Sequence, residues 1–208
     1  MKIVLYGAGG MIGSRILAEG LRRGHAVTVV ARDPKKFVPP PGRVLVVQGD
    51  VLDAASVAAA VNGYEAVLSA VGPTAAVIAG APRSLIEGLT RAGLKRVVVV
   101  GGAGSLEVAS GMLLLQTPQF PAKYQEVAQA HAAALAIFRQ NSTLDWTFMS
   151  PAAWIQPGER TGRFRLGGDQ LLVDDRNESR ISAEDFAVAF LDEVEKPRHI
   201  RRRFTVAY

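Results

Sequence analysis

The chain contains no cysteine. That removes disulfide frameworks, thiolate nucleophiles and sulfur-ligated zinc from consideration, and it accords with a reducing compartment. No apolar run approaches the roughly 18 residues that a membrane span needs. The opening stretch Met1-Lys2-Ile3-Val4-Leu5-Tyr6-Gly7 is too short for a signal peptide and breaks into glycine, so it reads as a first strand. A cytoplasmic location, no membrane partner and no metal site are the resulting expectations. The formal charge is +5, and the densest basic cluster is Arg198, Arg201, Arg202 and Arg203. Only Phe204 supplies an aromatic neighbour there, so the cluster reads as a solvated C-terminal edge and no nucleic-acid partner is expected. A modest positive balance also suits an anionic dinucleotide.

What is present is an ordinary globular composition, 49% hydrophobic and 21% charged, in 208 residues, a length at which one core suffices. One domain over residues 1–208 is expected, with 151–208 as a small C-terminal portion on the substrate side. β-Branched runs alternate with helical spacing: strands at Lys2–Tyr6, Ala26–Ala31, Val44–Gln48, Glu65–Ser69, Arg96–Val100 and Asp145–Met149. Helices are expected at Met11–Arg23, Ala54–Val61 (capped by Asp53), Thr74–Ala92, Ala122–Gln140 and Ser182–Val194. Gly80 and Pro82 should delay or kink the third of these. Ser182 with Asp185 forms a variant capping box. The run Val97-Val98-Val99-Val100 has no polar alternation, which marks a strand buried on both faces of a parallel sheet. The repeated order implies a doubly wound, Rossmann-like α/β sheet with helices on both faces. Residues 101–121 dissolve into glycine, proline and the apolar patch Met112-Leu113-Leu114-Leu115, a loop long enough to be functional or partly disordered. Arg163–Leu166 and Gln170–Val173 are weaker strand candidates, and Arg203–Val206 is expected to return as an edge strand.

Gly7-Ala8-Gly9-Gly10-Met11-Ile12-Gly13 follows a strand and opens a helix. Glycine lets the backbone turn tightly and lets a pyrophosphate approach, and the helix start then holds the negative charge. Gly7, Gly9, Gly10, Met11, Ile12 and Gly13 are therefore candidate dinucleotide-binding residues. At the end of the second strand stand Ala31-Arg32-Asp33-Pro34-Lys35-Lys36. Arginine there pairs with a 2′-phosphate and a carboxylate with a ribose, so Arg32 favours NADPH while Asp33 keeps NADH open. Asp50 and Val51, after the third strand, are candidates for the adenine, although Asp50 could equally cap the following helix. Ala70, Val71 and Gly72, in the stretch Ser69–Pro73 after the fourth strand, are small enough to pass close to the ribose.

An acid–base motif is harder to find. A serine with Tyr-x-x-x-Lys would let the lysine lower the tyrosine pKa so that it acts as general acid. Ser105 and Tyr124 are present, but the residue four beyond Tyr124 is Ala128, and Lys123 on a helix points about 100° away. His131, seven residues after Tyr124, returns to nearly the same helix face. Ser105, Tyr124 and His131 are the catalytic candidates, each with a plain structural alternative. Hydride transfer to a flavin or quinone needs no protein acid, so the missing lysine points to such acceptors or away from catalysis.

The chain resembles the atypical short-chain dehydrogenase/reductases of the NADH-flavin reductase type, relatives of biliverdin-IXβ/flavin reductase and of NmrA-like proteins. The resemblance rests on the glycine loop, Arg32, Asp145–Ala152, Pro157-Gly158-Glu159-Arg160-Thr161-Gly162, Gly167–Leu172 and Arg180–Ala187. It implies an NAD(P)H-binding Rossmann domain loosely assigned to flavin or quinone reduction of a small-molecule acceptor, any flavin being a substrate rather than a prosthetic group, and it implies no particular substrate. It also implies that Pro151, Ala152 and Trp154 wall the nicotinamide side, with core packing the alternative for Trp154. A non-catalytic NAD(P)H sensor using the Leu113–Leu115 patch toward a partner is the alternative function, a sugar-nucleotide epimerase is a third, and a homodimer is open.

Overall fold

The computed structural model describes residues 1–208 apart from Arg43 and Pro73. The chain runs β1 (Lys2–Tyr6), α1 (Met11–Arg22), β2 (Ala26–Ala31), β3 (Val44–Gln48), α2 (Ala54–Ala60), β4 (Ala66–Ser69), α3 (Ala75–Ala92) and β5 (Arg96–Val100). It continues through β6 (Glu107–Ala109), β7 (Met112–Leu113), α4 (Gln125–Arg139), β8 (Asp145–Ser150), β9 (Trp154–Gln156), β10 (Arg165–Gly167), β11 (Arg180–Ser182), α5 (Ala183–Glu195) and β12 (Arg202–Ala207). Eight strands form one sheet in the order β10-β12-β8-β5-β4-β1-β2-β3. All its pairings are parallel except β10 on β12. This is the expected doubly wound Rossmann-like fold.

Strand alternation assigns the two faces. Ile3 and Leu5 of β1 pack with Ile16 and Leu17 of α1 and with Phe186 and Phe190 of α5. Val4 and Tyr6 turn the other way, into a second core with Val57, Leu85, Leu89 and Phe138 from α2, α3 and α4. The order reverses between β1 and β4, where α1 and α3 leave on opposite faces, and ligands of such sheets bind at the carboxyl ends of the strands around that reversal.

Several expectations need correction. α3 runs through Pro82 from Ala75 to Ala92, with no late start at the proline. Proline inside a helix costs about 3 kcal/mol, but Ile78, Ala81, Leu85 and Leu89 of this helix are buried in the core, and that packing prevails. Gly88 is required there, since a Cβ would lie 2.6 Å from the Val57 side chain. β12 is not an edge strand: it lies between β8 and β10, and β10 takes the edge. Residues 170–173 form no strand of their own. Instead the Leu171 amide donates to the Glu107 carbonyl and the Glu107 amide to the Asp169 carbonyl, tying the 101–121 segment to the C-terminal portion. That segment folds as two short 3-10 turns and the β6–β7 hairpin.

The basic cluster also divides. Arg203 has a side chain only 3% exposed, ion-paired with Asp169. Its Nη1 also donates to the Ser105 carbonyl. β12 is covered on both sides from Arg203 onward, so Arg203 is buried, whereas Arg201 and Arg202 remain at the surface. The capping box at Ser182 is half formed. The Ser182 hydroxyl accepts from the Asp185 amide at 3.0 Å, but the Asp185 carboxylate turns away to the Gly162 amide and the Thr161 and Tyr208 hydroxyls. No helix among the described residues is long and apolar enough to cross a membrane.

Candidate functional site

Gly7 leaves β1 with φ +82, and a Cβ there would stand 2.2 Å from the Ala70 carbonyl oxygen. Gly13 sits so close beneath it that its own Cβ would fall 2.0 Å from the Gly7 carbonyl oxygen. These two glycines hold loop, helix and β4 together. Gly9 and Gly10 do something else. A Cβ on Gly9 would meet nothing within 4 Å, and one on Gly10 only the Gly7 oxygen at 3.5 Å, so the outer face of the loop is open. Gly10 is the N-cap of α1 with no side-chain cap, and no acidic residue occupies the first turn. Helix geometry leaves the amides of Met11, Ile12 and Gly13 without intrahelical acceptors, and the positive end of the helix faces the opening. A pyrophosphate fits that cradle.

The cradle opens into a cleft of about 540 Å³ that reaches Arg32, Asp50, Val51, Val71 and Gly72. Among the described residues the Arg32 guanidinium has no hydrogen-bond or ion-pair partner, whereas Asp33 accepts from the Lys35 amide at 3.2 Å and pairs with Lys36 at 3.4 Å. Asp50 accepts from the Leu52 amide at 2.9 Å, and α2 is capped by Asp53, not Asp50. Asp50 is thus at the cleft wall and is not a helix cap. Ala70 donates its amide to the Tyr6 carbonyl at 2.9 Å and lies against Gly7. Of the stretch Ser69–Pro73, Pro73 lies outside the described residues.

The three catalytic candidates are not brought together in one environment. The Ser105 hydroxyl is buried and lies 3.3 Å from Arg203 Nη1. Tyr124 closes a 3-10 turn over Ala122–Tyr124 and is 48% exposed, its ring under the Lys123 ammonium at 4.9 Å. Lys123 therefore meets the Tyr124 ring, because the residues do not lie on a regular helix. His131 lies within α4 against Gly102, where a Cβ would come within 2.8 Å of the imidazole. Burial pulls its pKa down to about 4, so it is neutral at pH 7. Tyr124 is exposed and His131 half-buried with its Nδ1 enclosed, so the two do not share one environment.

Among the described residues, five buried side-chain polar atoms lack a partner: Tyr6 Oη, Ser69 Oγ, Ser150 Oγ, His131 Nδ1 and Arg96 Nε. Tyr6, Ser69 and Ser150 terminate β1, β4 and β8, all at the carboxyl edge of the sheet. Ser69 and His131 line one small internal void. Sequence reasoning had Ser69 in the stretch passing the ribose and Ser150 in the motif Asp145–Ala152 but gave neither hydroxyl a role, and it missed Tyr6; their place as last residues of strands was the available signal.

A second and larger cavity, about 1490 Å³, lies past the carboxyl end of β8. Trp154 lines it with its indole 67% exposed, which rules out core packing for that residue, while Pro151 and Ala152 are buried. Leu114 faces it from the 101–121 segment, so the apolar patch forms part of its wall. The loop Pro157–Gly162 forms another part and is clamped along its length. Gly158 donates to Glu184 at 2.7 Å, the Glu159 carbonyl accepts from Ser182 at 2.7 Å, and Arg160 makes two bonds to Glu19 of α1 at 2.9 and 3.0 Å. Among the described residues no group of three acidic or histidine side chains is placed to hold a metal ion.

The fold and the open glycine cradle define a dinucleotide-binding protein of the Rossmann class. Residues 7–194 match the family model described as NAD(P)H-binding, and the chain belongs to that family. It is similar over its full length to a Burkholderia pseudomallei protein provisionally called exported, with 51% identity, TM-score 0.93 and all of that chain covered. A Bacteroides thetaiotaomicron protein provisionally called an epimerase is 40% identical with TM-score 0.94, covering all of this chain and 96% of that one. A Streptococcus pneumoniae protein provisionally called an NADH-flavin reductase is 31% identical with TM-score 0.86, covering all of this chain and 99% of that one.

Proposed function

We propose that the chain is a reductase that passes hydride from NADPH to a flat conjugated acceptor, a flavin or a quinone. The observation that carries the reading is Trp154, a large aromatic face left open to a cavity at the carboxyl edge of the cofactor-binding sheet. An indole so placed stacks a planar ring. Arg32, unpartnered at the cleft, favours a 2′-phosphate, while Asp33 is already engaged by Lys35 and Lys36. The flavin-reductase name of the Streptococcus relative agrees with this acceptor class. The epimerase name of the Bacteroides relative agrees less well, because epimerisation needs an acid–base pair and Tyr124 here has Ala128, not lysine, four residues on.

The reduced nicotinamide, when bound, supplies the hydride. The chain's own contribution is binding, orientation and exclusion of water. The glycine cradle and α1 fix the pyrophosphate, Arg32 fixes the 2′-phosphate, and Trp154 holds the acceptor. His131 is neutral at pH 7, so it keeps no imidazolium in reserve. A flavin or quinone takes its proton from water, and no side-chain acid is required.

Titration with NADPH and NADH followed by addition of FMN or menadione tests this directly. Acceptor-dependent NADPH oxidation over many turnovers is expected, and none with any flavin or quinone would overturn the proposal. Arg32→Ala should raise the Kd for NADPH about tenfold or more, the value of a charge-assisted hydrogen bond, and leave NADH unaffected; an equal change for both cofactors would remove Arg32 from the phosphate. Trp154→Ala should raise the acceptor KM by roughly tenfold, the scale of a lost stacking contact, with NADPH affinity unchanged. Weakened NADPH binding without an effect on KM would place the indole elsewhere.

A further inference from the structure

Tyr6 is the last residue of β1, immediately before the glycine loop, and only 2% exposed. Its ring packs in the core with Val30, Val51 and Val67. Its hydroxyl points to no acceptor among the described residues. Yet Tyr6 also lines the 540 Å³ cleft, together with Arg32, Asp50 and Val51. A phenylalanine would fill the same hydrophobic position without the cost of an unpaired buried hydroxyl. Burial, and then the nearby Asp50 charge, raise the phenol pKa above its ordinary value, so the group stays protonated and is available as a donor.

The other neighbours narrow the partner. Thr28 and Tyr64 satisfy each other at 2.8 Å, and Ser84 is bonded to the Val51 and Ala81 carbonyls. Among the described residues, nothing of the protein's own serves Tyr6. Tyr6 directly precedes the glycine cradle and shares the cleft with the strand ends of β2 and β3, where an open sheet of this kind receives the adenosine half of a dinucleotide.

We propose that the Tyr6 hydroxyl is a recognition group for the cofactor's purine, donating a hydrogen bond to a ring nitrogen of the adenine held between Asp50, Val51 and Arg32. The inference rests on the cofactor reading of this cleft. It adds a donor from β1 to a base site otherwise walled by the ends of β2, β3 and β4. An unfilled donor is the mark of such a site, because it destabilises the free protein slightly and is satisfied only when the base arrives.

Tyr6→Phe separates this role from a structural one. Three quantities are read on wild type and variant: the Kd for NADPH, the Kd for reduced nicotinamide mononucleotide, which lacks the adenosine, and the Tm of the ligand-free protein. The expected result is a rise of about five- to tenfold in the NADPH Kd, one lost hydrogen bond. The mononucleotide Kd should not move, and the ligand-free Tm should be equal or higher. An NADPH Kd within twofold of wild type overturns the inference while leaving the cofactor reading intact. A lower Tm with both ligands weakened also overturns it, by assigning the hydroxyl a structural bond. If wild-type protein binds no NADPH, the cofactor reading of the cleft fails first and the inference falls with it.

Discussion

Gly13→Ala is expected to destroy cofactor binding and to cost the fold about 3 kcal/mol or more, a fall of roughly 6–12 °C in Tm for a chain of this size. The added methyl would lie 2.0 Å from the Gly7 carbonyl oxygen and 2.7 Å from its carbon, and both are backbone atoms that no rotamer change can move aside. α1 must therefore withdraw from the loop, and its first-turn amides leave the position where they converge on the pyrophosphate. Losing two or more charge-assisted bonds raises the NADPH Kd by about 100-fold or more. Gly10→Ala supplies the contrast. Its Cβ would meet the Gly7 oxygen at an ordinary 3.5 Å and nothing else nearby. Its Tm should stay within about 2 °C of wild type, while NADPH affinity falls by about tenfold because the methyl stands where the phosphates approach. Calorimetry with fluorescence titration on both variants decides the matter. If Gly13→Ala melts and binds as wild type does, the packing account of the loop is wrong.

Glu19→Gln is the second large effect. This α1 carboxylate is only 4% exposed and accepts from three arginines, Arg22 at the end of its own helix, Arg23 just after it and Arg160 from the loop beside the larger cavity. Burial by itself would raise its pKa. The hydrogen bonds from Arg22, Arg160 and Arg23, with the Arg23 charge, reverse that and hold it far below the ordinary carboxylate range. Removing the charge leaves the arginines facing one another; because Arg22 and Arg160 are partly exposed and screened by solvent, the cost is about 1–3 kcal/mol.

The acid dependence follows from the same shift. Because the folded pKa is depressed, the stabilisation is fully present above the unfolded value near 4.5 and is lost as pH falls below it. Thermal unfolding of wild type and Glu19→Gln should differ most at neutral pH, and the gap should narrow steadily below about pH 4.5. A gap that stays constant down to pH 3 would show that the carboxylate's charge contributes nothing.

How much of this could be read without the structure depended on the range of the interactions. The alternation of β-branched strands with helices is local, and it placed the six contiguous parallel strands from β8 to β3 and the glycine loop correctly. The loop's chemistry is local too, since a strand end, three spaced glycines and a helix start are contiguous in the chain. Arg32 and Asp33 were visible as rivals for the ribose. Only the structure showed that Asp33 is engaged by the Lys35 amide and by Lys36, whereas the Arg32 guanidinium has no partner among the described residues.

The C-terminal third was harder. Arg203 stands in a run of arginines that reads as solvent-facing, but insertion of β12 between β8 and β10 turns it inward onto Asp169 and Ser105. The pairing of β12 with residues more than fifty positions away is not encoded in its own short stretch, so its position in the sheet stayed invisible. Pro157–Gly162 was recognisable as a motif, whereas its attachment to Glu19, 141 residues distant, was not.

The sequence by itself determined the sheet-and-helix class and the nucleotide cradle, because periodicity and glycine placement act within one turn or one strand. Tertiary structure decided which polar groups are engaged and which are not. Ser105 is held by Arg203 and Asp33 by its own turn, while among the described residues the Tyr6 hydroxyl and the Arg32 guanidinium have no partner and Trp154 is exposed. The physical reason is that satisfaction of a polar group and exposure of an aromatic face are properties of the surroundings, and those surroundings come from segments brought together only by folding.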